Sequence, residues 1–362
     1  MAGKSRGANS GEVAVKLFLI IVGAVVTGFA ICLLVLAIWL RRLARKFFGG
    51  VEDQLDDLVD ELNYSIPPPR IKLVKLDAIQ WQQAEEVQAI EDALRRSGFD
   101  EIGGFRVEPT KRLLQAFSKP AEAAYAIVYE SPKSGVWLDL VTRYLDGEKV
   151  AYSTLRDTLL DRAENDVIRF HEGLTAEELL GRFLADRPAK PMRPVSADEF
   201  VGFFEQAHAE SMDWRMARGG ISEAELRRQY ESRGEECSPA VVMAVLRIWA
   251  AAIDDFYQRQ CREQFLSDSR EAQRWGQIGD RLIVIHDRTA FDRLEELCDE
   301  TFHEFFDEEG GPGSDSAAEG SGSRRSAFAR WNAAQTNGRK YEKVGEVSQP
   351  VVADVYLPAG YP

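Results

Sequence analysis

The chain predicts an α+β fold behind a single N-terminal membrane helix, and three observations lead there. Three strand-like runs at Ala124–Tyr129, Val136–Tyr144 and Lys149–Ser153 follow one another across short polar turns, which reads as an antiparallel meander. Three Ser/Thr-x-x-Glu capping boxes then precede helix-periodic segments. Before both, Leu17–Leu40 is 24 residues without a charged side chain.

A helix needs about 20 apolar residues to cross a hydrocarbon core of roughly 30 Å, and only a helix satisfies its own backbone there. The run is longer than a signal-peptide core. It ends in Ile38-Trp39-Leu40 and RRLARK without an A-x-A-like exit, so a retained anchor is expected. Trp39 stands at the interfacial position. Arg41, Arg42, Arg45 and Lys46 outnumber the basic residues before the run, Lys4, Arg6 and Lys16, which predicts a translocated tail (1–16) and a cytoplasmic body. Cys32 lies in the span. Cys237, Cys261 and Cys298 are an odd, widely spaced set and read as no disulfide framework. Asn63-Tyr64-Ser65 matches a glycosylation sequon, meaningful only on the exported side of a eukaryotic membrane. Ala24 with Gly28, and Gly23 with Thr27, are small-xxx-small pairs that would let two such helices form a homodimer.

The net charge is −14, and residues 1–46 carry +6, so the remainder carries −20. A body this acidic repels phosphate backbones, which argues against nucleic acid as a partner. The expected partners are the lipid bilayer, through Leu17–Leu40, and another protein.

Residues 41–69 hold the basic cluster, an acidic helix with an apolar stripe at Val51, Leu55, Leu58 and Leu62, and the stop Pro67-Pro68-Pro69. The α+β unit is expected over 70–195. It begins with a strand at Ile71–Leu76 and a helix over Trp81–Arg96, closed by Gly98. A short strand at Phe105–Val107 and a short helix at Lys111–Phe117 come next, then the meander and a strand at Asp166–Phe170. Its helices are expected on one face of the sheet.

A mainly helical unit is expected over 196–306. Its boxes are Ser196–Glu199 and Ser222–Glu225; Thr175–Glu178 caps the helix before it. Ser238-Pro239 opens a long helix with an apolar stripe at Val241, Val245, Ile248, Ala252 and Phe256. Leu282–Ile285 reads as a buried strand, and Thr289–Asp292 as the cap of a last helix to about Phe306. Residues 307–326, rich in Gly, Ser and acid, read as a disordered linker. The tail 327–362 is apolar enough to dock, with Val351–Tyr356 expected as an edge strand because Pro350 precedes it.

For chemistry the chain offers little. It has no phosphate-binding glycine loop, since Gly103-Gly104 and Gly219-Gly220 lack the spacing. It has no Cys-x-x-Cys, His-Glu-x-x-His or Gly-x-Ser-x-Gly. No cofactor and no metal is therefore expected. The candidate catalytic residues are His171 with Glu172 and His286 with Asp287, because each pair closes a strand and histidine titrates near neutrality. His208 beside Glu205 and Glu210, and His303 beside Asp299 and Glu300, read as histidines on solvated acidic helices. Asp139, Asp146 and Glu148 are carboxylates in the meander, where Asp146 has a plainer role in its Asp-Gly turn. Trp81, Trp137, Trp214, Trp249 and Trp275 read as packing residues; an aromatic platform for single strands would want a basic groove. The function that follows is a single-pass, membrane-anchored acidic interaction or scaffold protein, non-catalytic. The alternative is a membrane-tethered, hydrolase-like enzyme using His171 or His286. The two differ in geometry: an enzyme needs a pocket holding one of those histidines with a carboxylate in reach.

Overall fold

The computed structural model describes residues 66–131, 134–298, 323–335, 338 and 340–360. The expected span Leu17–Leu40, its Ala24 and Gly28, the stretch 41–65, His303 and most of 307–326 lie outside the described residues. Among the described residues no helix is long and apolar enough to cross a membrane. Residues Ile66–Pro362 belong to one compact unit.

The fold is mixed α+β, with eight helices and a sheet of eight strands among the described residues. That sheet runs β1 (Lys72–Leu76), β2 (Asp100–Glu108), β3 (Arg112–Lys119), β4 (Ala124–Ser131), β5 (Gly135–Tyr144), β6 (Lys149–Ser153) and β7 (Asp166–Phe170) in sequence order. Neighbours are antiparallel except β6 and β7, which are parallel. The two-residue β8 (Met192–Arg193) pairs with the end of β5. Sequential antiparallel strands need only short turns, and the Asp146-Gly147 turn supplies one, with Gly147 at φ +89°.

Where a helix is expected over Lys111–Phe117, residues Arg112–Lys119 form a strand. Leu114, Ala116 and Phe117 are all fully buried, because β3 is central and covered on both faces. Continuous burial erases the period of two, and the run then resembles a helical one. The two helices of 70–195 do share one face, as expected, and a helix of the following segment covers the other. Helices α1 (Ala84–Arg96) and α2 (Ala176–Asp186) cover one side, with Leu94 and Phe183 against Phe117, Leu138 and Tyr152. Helix α3 (Phe200–Ala217) covers the other, with Phe200 and Phe203 against Phe105, Tyr125 and Val141.

Caps set the helix starts. Thr175–Glu178 and Ser222–Glu225 form full capping boxes, the second opening α4 (Glu223–Ser232). At Ser196 the hydroxyl donates to Glu199 at 2.7 Å, and α3 begins only at Phe200. Ser238 caps α5 (Pro239–Ser267), whose buried stripe is Val242, Val245, Trp249, Ile253 and Phe256, turned from the expected one. A short α6 (Ser269–Trp275) follows.

A second sheet, ordered β10 (Tyr341–Val347), β11 (Ala353–Pro358), β9 (Ile283–His286), is antiparallel throughout. The strand expected at an edge after Pro350 is therefore the middle strand. Val284 and Val355 face α5, while Ile285 and Tyr356 face α7 (Phe291–Leu297) and α8 (Arg324–Ala333). Thr289 does not cap α7; its hydroxyl accepts the His286 N–H at 2.9 Å.

Side-chain amides close both ends of this sheet. Gln258 of α5 donates to Val284 O and accepts from Val284 N at 3.2 Å, standing in for a neighbouring strand at β9. Asn332 of α8 does the same at β10, accepting from Tyr341 N at 2.9 Å and donating to Tyr341 O at 2.7 Å. Buried backbone groups without partners cost about 1–3 kcal/mol each. We expect Asn332→Ala to lower unfolding stability by about 2 kcal/mol in urea titration; an unchanged midpoint would remove Asn332 from this role.

Candidate functional site

His286 is brought beside a carboxylate that sequence reasoning missed. It ends β9, and Asp254 reaches it from the middle of α5, with Nε2 and Oδ1 3.1 Å apart. The approach is off the axis of a linear hydrogen bond. Nδ1 accepts the Arg288 N–H at 3.1 Å, which assigns the ring proton to Nε2, facing Asp254. Asp254 also binds Arg293 Nε at 2.6 Å and Gln258 Nε2 at 3.2 Å. Burial pushes the Asp254 carboxyl up, but the His286 contact and Arg293 outweigh it and hold the group below the usual carboxylate range. His286 is 0% exposed and Asp254 1%. A histidine–aspartate pair is thus present, but solvent reaches neither member. The signal for Asp254 was an acid on the buried stripe between Ile253 and Phe256.

Asp287 does not act with His286; its Oδ1 accepts from the Ser323 hydroxyl and from Arg325 N at 3.4 Å, tying the loop after β9 to the start of α8. Arg288 reaches away to cap α3, donating to Met216 O at 3.0 Å and Ala217 O at 2.6 Å.

His171 stacks on Tyr152, ring centres 5.5 Å apart. Burial, then Arg182, lowers its pKa, against a smaller opposing effect of Asp186, so the ring is neutral at pH 7. Its Nε2 is enclosed without a hydrogen-bond partner among the described residues. Glu172, its expected partner, is exposed. His208 binds Pro68 O at 2.7 Å, Glu205 accepts the Leu73 N–H at 2.7 Å on the outer side of β1, and Glu210 pairs with Arg143 at 2.6 Å. This trio holds the start of the body and the sheet against α3.

The meander carboxylates separate. Asp146 and Glu148 share Lys190 at the turn, at 2.7 and 2.6 Å. Asp139 instead lies on the α3 side of β5, opposite Ile127 and Ser153. Tyr129 and Trp137 stack beside it at 4.8 Å, and Arg112 lies over the Trp137 ring. Asp139 keeps a narrow exposure, yet its Oδ1 is enclosed and without a partner among the described residues. Burial raises its pKa to about 6, against the Ser153 hydrogen bond and the charges of Arg162, Lys149 and Arg112. Burial also drives Tyr125 and Tyr129 well up.

A carboxyl with a raised pKa favours the fold fully below the ordinary value near 4, and the gain is lost as pH rises through about 6. Asparagine imitates the protonated form at every pH. Asp139→Asn is therefore expected to stabilise by about 1–3 kcal/mol at pH 7.5 and hardly at all at pH 4. Urea midpoints at the two pH values, with m constant, check this; equal shifts at both would contradict it.

One cleft of about 470 Å³ opens at the β1–β2 end of the large sheet, lined by Lys75, Asp77, Trp81, Glu91, Glu101 and Gln115 among others. Neither His171 nor His286 lines it. Burial raises the Glu91 pKa despite its 2.9 Å pair with Arg95. Among the described residues no group of three or more His, Cys, Asp or Glu side chains is placed to hold a metal ion. Cys237, Cys261 and Cys298 are buried and not disulfide-bonded. No family model, no curated protein and no solved structure matches this chain, so its own geometry is what bears on function.

Proposed function

We propose that this chain is a single-pass, membrane-anchored acidic interaction or scaffold protein, non-catalytic, with its body in the cytoplasm. The observation that carries the reading is the state of the two candidate histidines. His286 is sealed between Asp254 and the Arg288 amide, and His171 is packed on Tyr152 with its carboxylate neighbour turned to solvent. The charge of −20 beyond residue 46 supports a protein partner over nucleic acid. The 24 uncharged residues support the anchor, and Ala24 and Gly28 support pairing of two copies.

The test is the mass of the full chain released from its own membranes in mild detergent. A complex with a stoichiometric second protein, or with a second copy, is expected; a lone monomer would defeat the reading. Protease added to sealed cells should leave the body intact, and its digestion would reverse the topology. The second reading, a tethered hydrolase, is favoured by one observation, the His171 Nε2 that has no hydrogen-bond partner among the described residues. His171→Gln should leave both the complex and the cellular phenotype unchanged. Loss of the phenotype with the complex intact would turn the assignment to the hydrolase.

A further inference from the structure

The segment 154–165, which connects the parallel strands β6 and β7, crosses the α3 side of the large sheet as a strap. Its inner side begins with Leu155, packed in the same apolar cluster as Tyr129 and Trp137. Leu155 N donates to the Ser153 hydroxyl at 3.1 Å, and that hydroxyl in turn binds Asp139. Arg162, near the far end, faces Asp139 and covers the Phe170 ring at 5.7 Å. The outer side is fastened to α4. Gln229 donates to Thr158 O at 2.8 Å, and Glu225 accepts the Asp161 N–H at 2.8 Å. Arg218 and Arg228 hold the Asp161 carboxylate.

Three features show that closure of this strap is incompletely satisfied. Leu159, at its apex, has φ +56°, a left-handed conformation that a side chain disfavours. Thr158 Oγ1 is enclosed without a hydrogen-bond partner among the described residues, and so is Asp139 Oδ1. A segment that holds both strain and unpaired polar atoms is one that local opening relieves.

We propose that the strap 154–165 is a proton-gated cover, closed over the polar centre of the sheet when Asp139 is protonated and released when it ionises. Opening returns the carboxylate to water, where its affinity for a proton is ordinary. Because the closed state binds that proton more tightly, raising the pH shifts the population toward the open one. The groups facing Asp139 set how strongly. From the strands these are Arg112, the Tyr125 and Tyr129 hydroxyls, Lys149 and Ser153; from the strap, Arg162. Lys149 is itself engaged by Asp166 at 2.9 Å, and Arg143 by Glu210 at 2.6 Å. His208 of α3 lies on the same side, near Lys149 and Arg112, and burial lowers its pKa against the opposing hydrogen bond to Pro68. The cations favour ionisation, but burial of the carboxyl outweighs them.

Amide exchange on the full chain in lipid nanodiscs, corrected for the intrinsic pH dependence of exchange, tests the gate. Amides of the strap should open roughly tenfold more at pH 7.5 than at pH 5, while β4 amides keep their protection. Asp139→Asn should leave the strap closed at both values. Leu159→Gly should reduce opening at both by the same factor and keep the pH ratio. Ser153→Ala, which removes a donor to the carboxylate, should move the midpoint to higher pH. Strap exchange that is flat with pH, a ratio that survives Asp139→Asn, or β4 amides opening in step with the strap would each overturn the proposal.

Discussion

A chain ending at Gln349 is expected to lose the second sheet entirely. Residues after that point supply β11, the strand that pairs with both β10 and β9. Ala353 and Val355 are 0% exposed, and Tyr356 and Leu357 are 3% exposed. Burying an apolar side chain of this size is worth about 1.5–3 kcal/mol, so Val355, Tyr356 and Leu357 together contribute roughly 4.5–9 kcal/mol. A folded domain has about 5–15 kcal/mol in all. The damage also spreads: β9 and β10 each lose a hydrogen-bonded neighbour, and Phe328 loses the Tyr356 ring 5.1 Å away. Thermal unfolding by circular dichroism should show a large fall in Tm, and the Ile285 amide, which faces β11, should exchange freely. A truncated chain melting with the full one would mean that β11 is dispensable.

The second large effect is expected from Asp254→Ala. Removing one member of a buried charged set leaves its partners desolvated and uncompensated, at about 3–5 kcal/mol. Here the bereft groups are His286, Gln258 and Arg293, of which Arg293 can partly rehydrate because its side chain is 35% exposed. A value near the lower bound follows. The pH dependence has a definite sign. Asp254 has a depressed pKa in the fold, so its contribution is present above the ordinary carboxylate value near 4 and is lost as pH falls below it. Stability of Asp254→Ala should therefore fall less steeply in acid than that of the native chain. Urea unfolding from pH 3 to pH 7 measures both quantities. Parallel curves for the two proteins would show that the carboxylate contributes no linkage.

Elements whose signal is local were legible. The helix starts at Ala176, Glu223 and Pro239 follow from Thr175, Ser222 and Ser238, whose side chains bond backbone groups three residues away. The strand Asp166–Phe170 and the Asp146-Gly147 turn are local in the same sense. The strand at Arg112–Lys119 was not, because its Leu-Leu-Gln-Ala-Phe run carries no period once helices cover both faces. The candidate site was half legible. His286 stood out as a histidine closing an apolar strand, but its partner Asp254 lies 32 residues earlier on another element. Asp139 was visible as an acid in a strand, yet the company expected for it, Asp146 and Glu148, belongs to Lys190.

The sequence by itself determined the α+β class, the capped helix starts and the acidic charge, and it set apart the uncharged run Leu17–Leu40. These depend on residue types within a few positions of one another, or on sums along the chain. Tertiary structure alone decided that β11 is a central strand, that Gln258 and Asn332 close the sheet beside it, that His286 is shut away, and that burial raises the Asp139 pKa to about 6. Each of those depends on which distant segments exclude water from a group, and burial is a property of the packed chain that no local window contains.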